Sequence, residues 1–171
     1  MKNLLRPLLL AVLFTFPFVG TAQTTRTAPD EAPDYARVRG ITYLYIDVSS
    51  SDNSPSDSEL RNEMRDIIEL ELRRANVIIK TLLPTQSPDT TPMLHFHLKF
   101  DRGMGRYACN IRLNVRDQVN ITRNREQITA ITFEVARNVS ATSDAALARE
   151  IKLKTRELIG EFITGLKKVN S

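Results

Sequence analysis

Between Leu94 and Val139, apolar and polar residues alternate through three successive segments, and this alternation narrows the folds open to the chain. A period of two belongs to the β-strand, whose successive side chains leave on opposite faces. The first segment sends Leu94, Phe96, Leu98 and Phe100 one way and His95, His97 and Lys99 the other. The second has Tyr107, Cys109, Ile111, Leu113, Val115, Val119 and Ile121 inward, against Asn110, Arg112, Asn114, Arg116, Gln118 and Asn120 outward. In the third, Ile131, Phe133, Val135 and Val139 alternate with Thr132, Glu134 and Asn138. Asp117 and Arg137 fall on the apolar side, which a bulge or a frayed strand end accommodates. One apolar face per strand predicts a sheet covered on one side only.

The flanking sequence supplies the cover. Ile41 to Val48 reads as a first strand, with Leu44, Ile46 and Val48 on one face and Tyr43, Tyr45 and Asp47 on the other. Ser56-Asp-Ser-Glu59 has the form of a capping box, and Leu60, Met64, Ile67, Ile68, Leu72 and Ala75 follow at helical spacing. Asn76 stands where the helix ends, a position that tolerates a left-handed backbone. Glu71 falls inside the apolar stripe, as a buried carboxylate or as a stripe edge with its head group in solvent. Val77 to Leu83 is a short apolar run, read as a second strand, and Pro84 to Pro92 is a loop. Ser143 caps a closing helix with the stripe Leu147, Ile151, Leu158, Phe162, Leu166 and Val169. The order β-α-β-β-β-α, with one stripe per helix, predicts a two-layer α+β domain. Its mixed five-stranded sheet carries both helices on one face. Strands 1 and 2 should run parallel across the helical crossover, and strands 3 to 5 should form an antiparallel meander.

Lys2 and Arg6 precede an apolar run from Leu8 to Val19, and Gly20-Thr21-Ala22 offers small residues for cleavage. Residues 1–22 are therefore expected to be a secretory signal peptide, with export to the periplasm or the exterior. No cysteine follows the cut, so the signal is not of the lipoprotein type, and the exported chain is not expected to span a membrane. Residues 23–37, rich in Thr, Pro and Asp, read as a flexible leader, and 38–171 as one domain. The chain has 24 Lys and Arg against 20 Asp and Glu, and the signal carries two of the basic residues and no acid. The exported part is thus close to neutral, which argues against nucleic-acid binding. Cys109 is the single cysteine, which rules out an internal disulfide.

The succession of a strand, Leu60-x₇-Ile68-x₃-Leu72-x₂-Ala75-Asn76-Val77, a short strand, three strands and an amphipathic helix resembles a group of small α/β domains of the bacterial envelope. These are the TolB N-terminal-like domain, the curli-secretion lipoprotein and the lipoprotein activators of penicillin-binding proteins. It is most similar to uncharacterised exported proteins of about this length. Their helix typically ends Ala-Gly-Ile, where this chain has Asn76. The resemblance spans residues 39–169 and implies a protein that binds other envelope components and catalyses nothing. The lipidated cysteine of the lipoprotein members is missing here.

Chemistry-bearing residues are few. His95 and His97, two apart on one strand, share a face and are candidates for one metal ion; the plain alternative is two solvated imidazoles. Cys109 sits in an apolar alternation and reads as a buried small hydrophobe, not an activated thiolate. Gly103-Met-Gly105 has no following helix and reads as a turn. No acid, base and nucleophile converge, so no enzyme and no cofactor are expected. The outward face of strand 4, with Asn110, Arg112, Asn114 and Arg116 beside Lys99, is a candidate surface for an anionic partner; the alternative is a polar face that prevents aggregation. The leading expectation is an envelope interaction module docking a partner protein through this face or a sheet edge. The alternative is a metal- or small-ligand-binding periplasmic protein using His95 and His97.

Overall fold

The structure is a computed structural model that describes residues 33–52, 55–81, 92–103 and 105–171. The expected signal peptide, most of the leader and most of the loop before strand 3 lie outside the described residues. A 3₁₀ turn at Tyr35–Val38 leads into β1 (Tyr43–Ser50), α1 (Pro55–Arg74), β2 (Ile78–Ile79) and β3 (Met93–Gly103). The chain continues through β4 (Arg106–Asn120), β5 (Gln127–Ala141) and α2 (Asp144–Asn170).

The sheet has five strands in the order β2-β1-β3-β4-β5. β1 runs parallel to both β2 and β3, whereas β3, β4 and β5 form the antiparallel meander. This is the α+β architecture that the periodicity predicts, with both helices on one face. Of the apolar run proposed as the second strand, Ile78 and Ile79 are the residues that pair among the described ones, opposite Tyr43 and Leu44. Leu82 and Leu83 lie outside the described residues.

Local chemistry explains most element ends. α1 closes with Asn76 at φ 63°, where the Asn76 N–H donates to the Arg73 carbonyl and the Val77 N–H to that of Leu72, both at 3.0 Å. That pair of bonds satisfies carbonyls the helix would otherwise strand. α2 starts at Ser143, whose hydroxyl oxygen accepts from the Ala146 N–H at 3.2 Å. The capping box at Ser56 and Glu59 is displaced: α1 begins at Pro55, so Ser56 lies within its first turn. Proline suits that first position, because its missing N–H would find no partner there anyway.

The core lies between sheet and helices. Leu94, Phe96 and Leu98 of β3 and Ile111, Leu113 and Val115 of β4 are fully buried against Met64, Ile68 and Leu72 of α1 and Ile151 and Phe162 of α2. Where the helices cross, the buried Thr155 hydroxyl donates to the Ile151 carbonyl at 2.7 Å and lies 3.2 Å from Met64 Sδ. Glu71 sits at the stripe edge and pairs with Arg74 at 3.1 Å. Residues 33–37, which composition assigns to the leader, pack on the domain. Tyr35 packs against Phe133 in a tilted ring pair with centroids 5.0 Å apart and lies against Gly165, where a Cβ would fall 2.1 Å from its ring. Only glycine admits that contact.

Two positions depart from the simple alternation. The register shifts between Val115 and Arg116, which face Phe133 and Ile131 with Thr132 left over. That extra residue turns Ile131 outward, and it is 49% exposed, against the expectation of an inward side chain. Arg137 needs no bulge. It lies on the helix side and pairs with Glu161 of α2 at 3.1 Å.

Candidate functional site: the uncovered face of the sheet

The face turned away from both helices carries the outward residues of β1, β3, β4 and β5. Parallel pairing of β1 with β3 sets Asp47 opposite His95 and Ser49 opposite His97. Antiparallel pairing then sets His95 opposite Asn114 and His97 opposite Arg112, and Asn114 opposite Glu134. The sequence brought the two histidines and the strand 4 residues to one face; the structure adds Asp47 and Ser49 from β1. Ser49 carried no sequence signal, because it lies just past the first strand as read from the alternation, Ile41 to Val48.

These residues form a hydrogen-bonded row. Ser49 Oγ lies 3.0 Å from His95 Nε2 and 2.9 Å from His97 Nδ1. On the other side of the ring, His95 Nδ1 lies 3.3 Å from Asn114 Nδ2. One set of protons satisfies every link. Asn114 Nδ2–H donates to His95 Nδ1, His95 Nε2–H donates to Ser49 Oγ, and the Ser49 hydroxyl donates to His97 Nδ1. Asp47 Oδ2 is 3.5 Å from His95 Nε2. The row leaves one atom out. Asn114 is only 2% exposed, and its Oδ1 is buried without a hydrogen-bond partner. A buried unpaired amide oxygen costs roughly 1–3 kcal/mol, so it is a feature that needs a reason.

The electrostatics favour neutral imidazoles. Burial lowers the His95 pKa from its ordinary value, Arg116 adds to the effect, and Asp47 opposes it; His97 and Arg112 lower it further. Burial also lowers that of His97, helped by Arg112 and Lys99. Arg112 Nε is 3.6 Å from Glu134 and Asn110 Nδ2 donates to Asn138 Oδ1 at 2.8 Å. Arg116 and Lys99 lie within 4.0 Å of no carboxylate among the described residues. Tyr45, on the same side of β1, is buried at one end of the face.

A metal would find two imidazoles here, with rings stacked at 6.0 Å. Among the described residues, no group of three His, Cys, Asp or Glu is placed to hold an ion. Cys109 is buried, and burial pushes its thiol up to about 12, so it is no thiolate at neutral pH.

Arg102 belongs elsewhere. Its side chain reaches past the sheet and clamps the helix starts. Its Nη1 and Nη2 donate to both carboxylate oxygens of Asp57 at 2.9 and 2.7 Å, and its Nε lies 2.9 Å from Asp144. Asp52 lies 3.6 Å away, and the Phe100 ring sits 4.0 Å beneath the guanidinium. Asp57 and Asp144 each occupy the first turn of a helix, where a carboxylate also favours the helix dipole. Each helix opening on an aspartate was the available signal.

No family model matches the chain, and no curated protein matches it. Solved structures with a similar fold include the PelC dodecamer from Paraburkholderia phytofirmans, at 10% identity and a TM-score of 0.46, covering 72% of this chain and 88% of that one. A minor lipoprotein from Acinetobacter baumannii is 13% identical with a TM-score of 0.31, over 75% of this chain and 92% of its own. A DUF330 protein from Xanthomonas campestris is 16% identical with a TM-score of 0.36, over 75% and 86%. Among the described residues, no helix is long and apolar enough to cross a membrane.

Proposed function

We propose that this chain is an exported envelope protein whose α+β domain acts as a non-catalytic interaction module, docking a partner protein on the uncovered face of its sheet. The observation that carries the reading is the buried Asn114 with its unpartnered Oδ1, set in a row of polar side chains on a face that neither helix covers. A face kept polar only for solubility needs no buried amide, since water satisfies exposed polar groups without help. Arg116 and Lys99, without carboxylate neighbours among the described residues, leave positive charge on the same surface. Docking would supply partners for both.

The test is in-cell photo-cross-linking from residue 112 or 116 of the open face, compared with residue 154 on α2. One defined adduct from the face and none from the helix is the expected result. Equal labelling from both sides, or none from either, would sink the reading. A second reading, a metal site at His95 and His97, draws on the two imidazoles sharing a face and on their preference for the neutral form. Elemental analysis decides it: stoichiometric zinc or copper that disappears in the H95A/H97A variant would replace the docking reading.

A further inference from the structure

We propose that the open face takes a carboxylate of an acidic protein segment between Arg112 and Arg116, with Asn114 turning its side-chain amide as the carboxylate arrives. In the turned state Oδ1 accepts a hydrogen bond from a protonated His95, and Nδ2 donates to the ligand. This rests on the docking reading and names the chemistry that the partner must present.

The argument begins with the unpartnered atom. Asn114 Oδ1 is an acceptor, buried, and without a donor. Its neighbour His95 has both ring nitrogens engaged, with Nδ1 facing the amide at 3.3 Å. That contact is served by either orientation of the amide, provided the proton on the ring changes with it. While His95 is neutral and its proton sits on Nε2, Nδ1 accepts from Nδ2 and Oδ1 is stranded. Once His95 carries a second proton, Nδ1–H must donate, and a half-turn of the amide brings Oδ1 into place to accept. The same half-turn leaves the Nδ2–H₂ donors where the stranded oxygen was. A site with an idle acceptor becomes a site with a donor, and the ligand that fits a donor beside two guanidinium groups is an anion.

The charges around His95 set when this happens. Asp47 on β1 favours the protonated ring. His97 on β3 and Arg112 and Arg116 on β4 oppose it, and burial opposes it most. Lys99 on β3 acts on His97 in the same sense, and Glu134 on β5 draws Arg112 from the other side. Neither helix packs on this face. A carboxylate between Arg112 and Arg116 offsets their repulsion of a protonated His95, one of the contributions that keep the ring neutral beside burial, so binding takes up a proton. A protein carboxylate is preferred to a free anion because Arg112 and Arg116, four residues apart on a strand, flank a shallow sheet surface. A lone ion there has water on its outer side, whereas a segment brings its own contacts along the strand.

The experiment follows His95 and His97 ring resonances by NMR from pH 5 to 8, with and without saturating hexaglutamate, on the whole exported chain. Hexaglutamate is expected to raise the His95 midpoint by about one unit, equivalent to roughly tenfold tighter binding by the protonated ring. N114V and, separately, R116Q should abolish the shift; R116Q covers the case in which N114V fails to fold. An unmoved His95 midpoint overturns the proposal, as does a variant that retains the full shift. Inorganic phosphate matching hexaglutamate at equal concentration overturns the choice of a protein carboxylate. If these fail while cross-links from residue 112 or 116 persist, only the carboxylate chemistry falls; if the cross-links vanish too, the docking reading falls with it.

Discussion

Arg102 and Arg116 lie on the same β3–β4 hairpin and are used in opposite ways. Arg102 meets three carboxylates and the ring of Phe100. It fastens the end of β3 to the first turns of α1 and α2, and its ordinary pKa is raised further by the bond to Asp57. Arg116 meets no carboxylate among the described residues and sits two positions from a buried amide with an unpaired oxygen. Position relative to the helices decides which fate an arginine has. At the hairpin end both helix N-termini converge, each with its own aspartate, and the charges close on one another. On the open face no element among the described residues completes the set. A region that is complete in itself holds the fold, and the docking proposal rests on the one left incomplete.

The largest effect should come from breaking the clamp. Asp57 is only 1% exposed, so removing its cation in R102A leaves a carboxylate with its main counter-charge gone. Loss of one partner from a buried pair typically costs about 3–5 kcal/mol, and urea unfolding should show a loss of that order. Replacing both partners by apolar residues, as in D57L/R102M, should recover much of it, because no charge is then stranded. A loss under about 1 kcal/mol in R102A would mean that Asp57 is solvated and that the clamp is no different from the open face. Cys109 offers an independent readout of the same region. It faces Phe100 across the hairpin and is buried, with its thiol pushed up to about 12. Alkylation at pH 8 should be slow in the parent chain and in R116Q. It should be at least about a hundredfold faster in R102A, since each 1.4 kcal/mol of opening energy is a factor of ten. Equal rates in R102A and R116Q would erase the distinction.

The contrast between these two regions follows how each is written in the chain. The layers, the meander and the faces of β3 and β4 were legible, because period-two and helical stripes are local signals that burial enforces. His95, His97, Arg112, Asn114 and Arg116 could be set on one face by counting. Ser49 could not, because its place beside both imidazoles depends on β1 pairing in parallel with β3, which no local pattern announces. The contacts of Arg102 were hidden for the same reason. Its partners come from helix starts 45 and 42 residues away in sequence. Ile131 failed differently: one surplus residue at Thr132 inverts the alternation, and a bulge leaves no mark in a sequence already rich in β-branched residues. The buried state of Asn114 was also hidden, since an amide two residues from an arginine on either side reads as solvent-exposed until the register is known.

The pH dependence should separate the two regions next. His95 and His97 have folded-state pKa values below the ordinary 6.5, so between those values and 6.5 the unfolded chain binds more protons than the folded one. Stability therefore rises with pH across that window. The contribution is complete above about 6.5 and is lost as the pH falls through the lowered folded values. Urea midpoints should decline from pH 7 toward pH 5 in the parent chain, and the H95Q/H97Q variant should be flatter over the same range. R102A should keep the part of the slope that H95Q/H97Q removes, despite its lower midpoint, because the clamp contains no histidine. A decline that survives in H95Q/H97Q would place its origin outside the open face.

The smallest effect on stability is expected where the effect on function is largest. N114V removes the stranded oxygen and puts a β-branched residue in the middle of a central strand, where such residues fit well. It also removes the Nδ2 donor to His95 Nδ1, so one acceptor loses its partner as an unpaired one is removed. Replacing an unsatisfied buried polar group with an apolar one of similar shape is often neutral or favourable. Unfolding measurements should find N114V within about 1 kcal/mol of the parent, on the stable side if anything. Opposite signs for R102A and N114V are the sharpest form of the contrast: one region was built to hold the fold, and the other carries a cost that folding alone does not require. If N114V is instead destabilised by as much as R102A, Asn114 is part of the scaffold, and the unpaired oxygen marks no ligand.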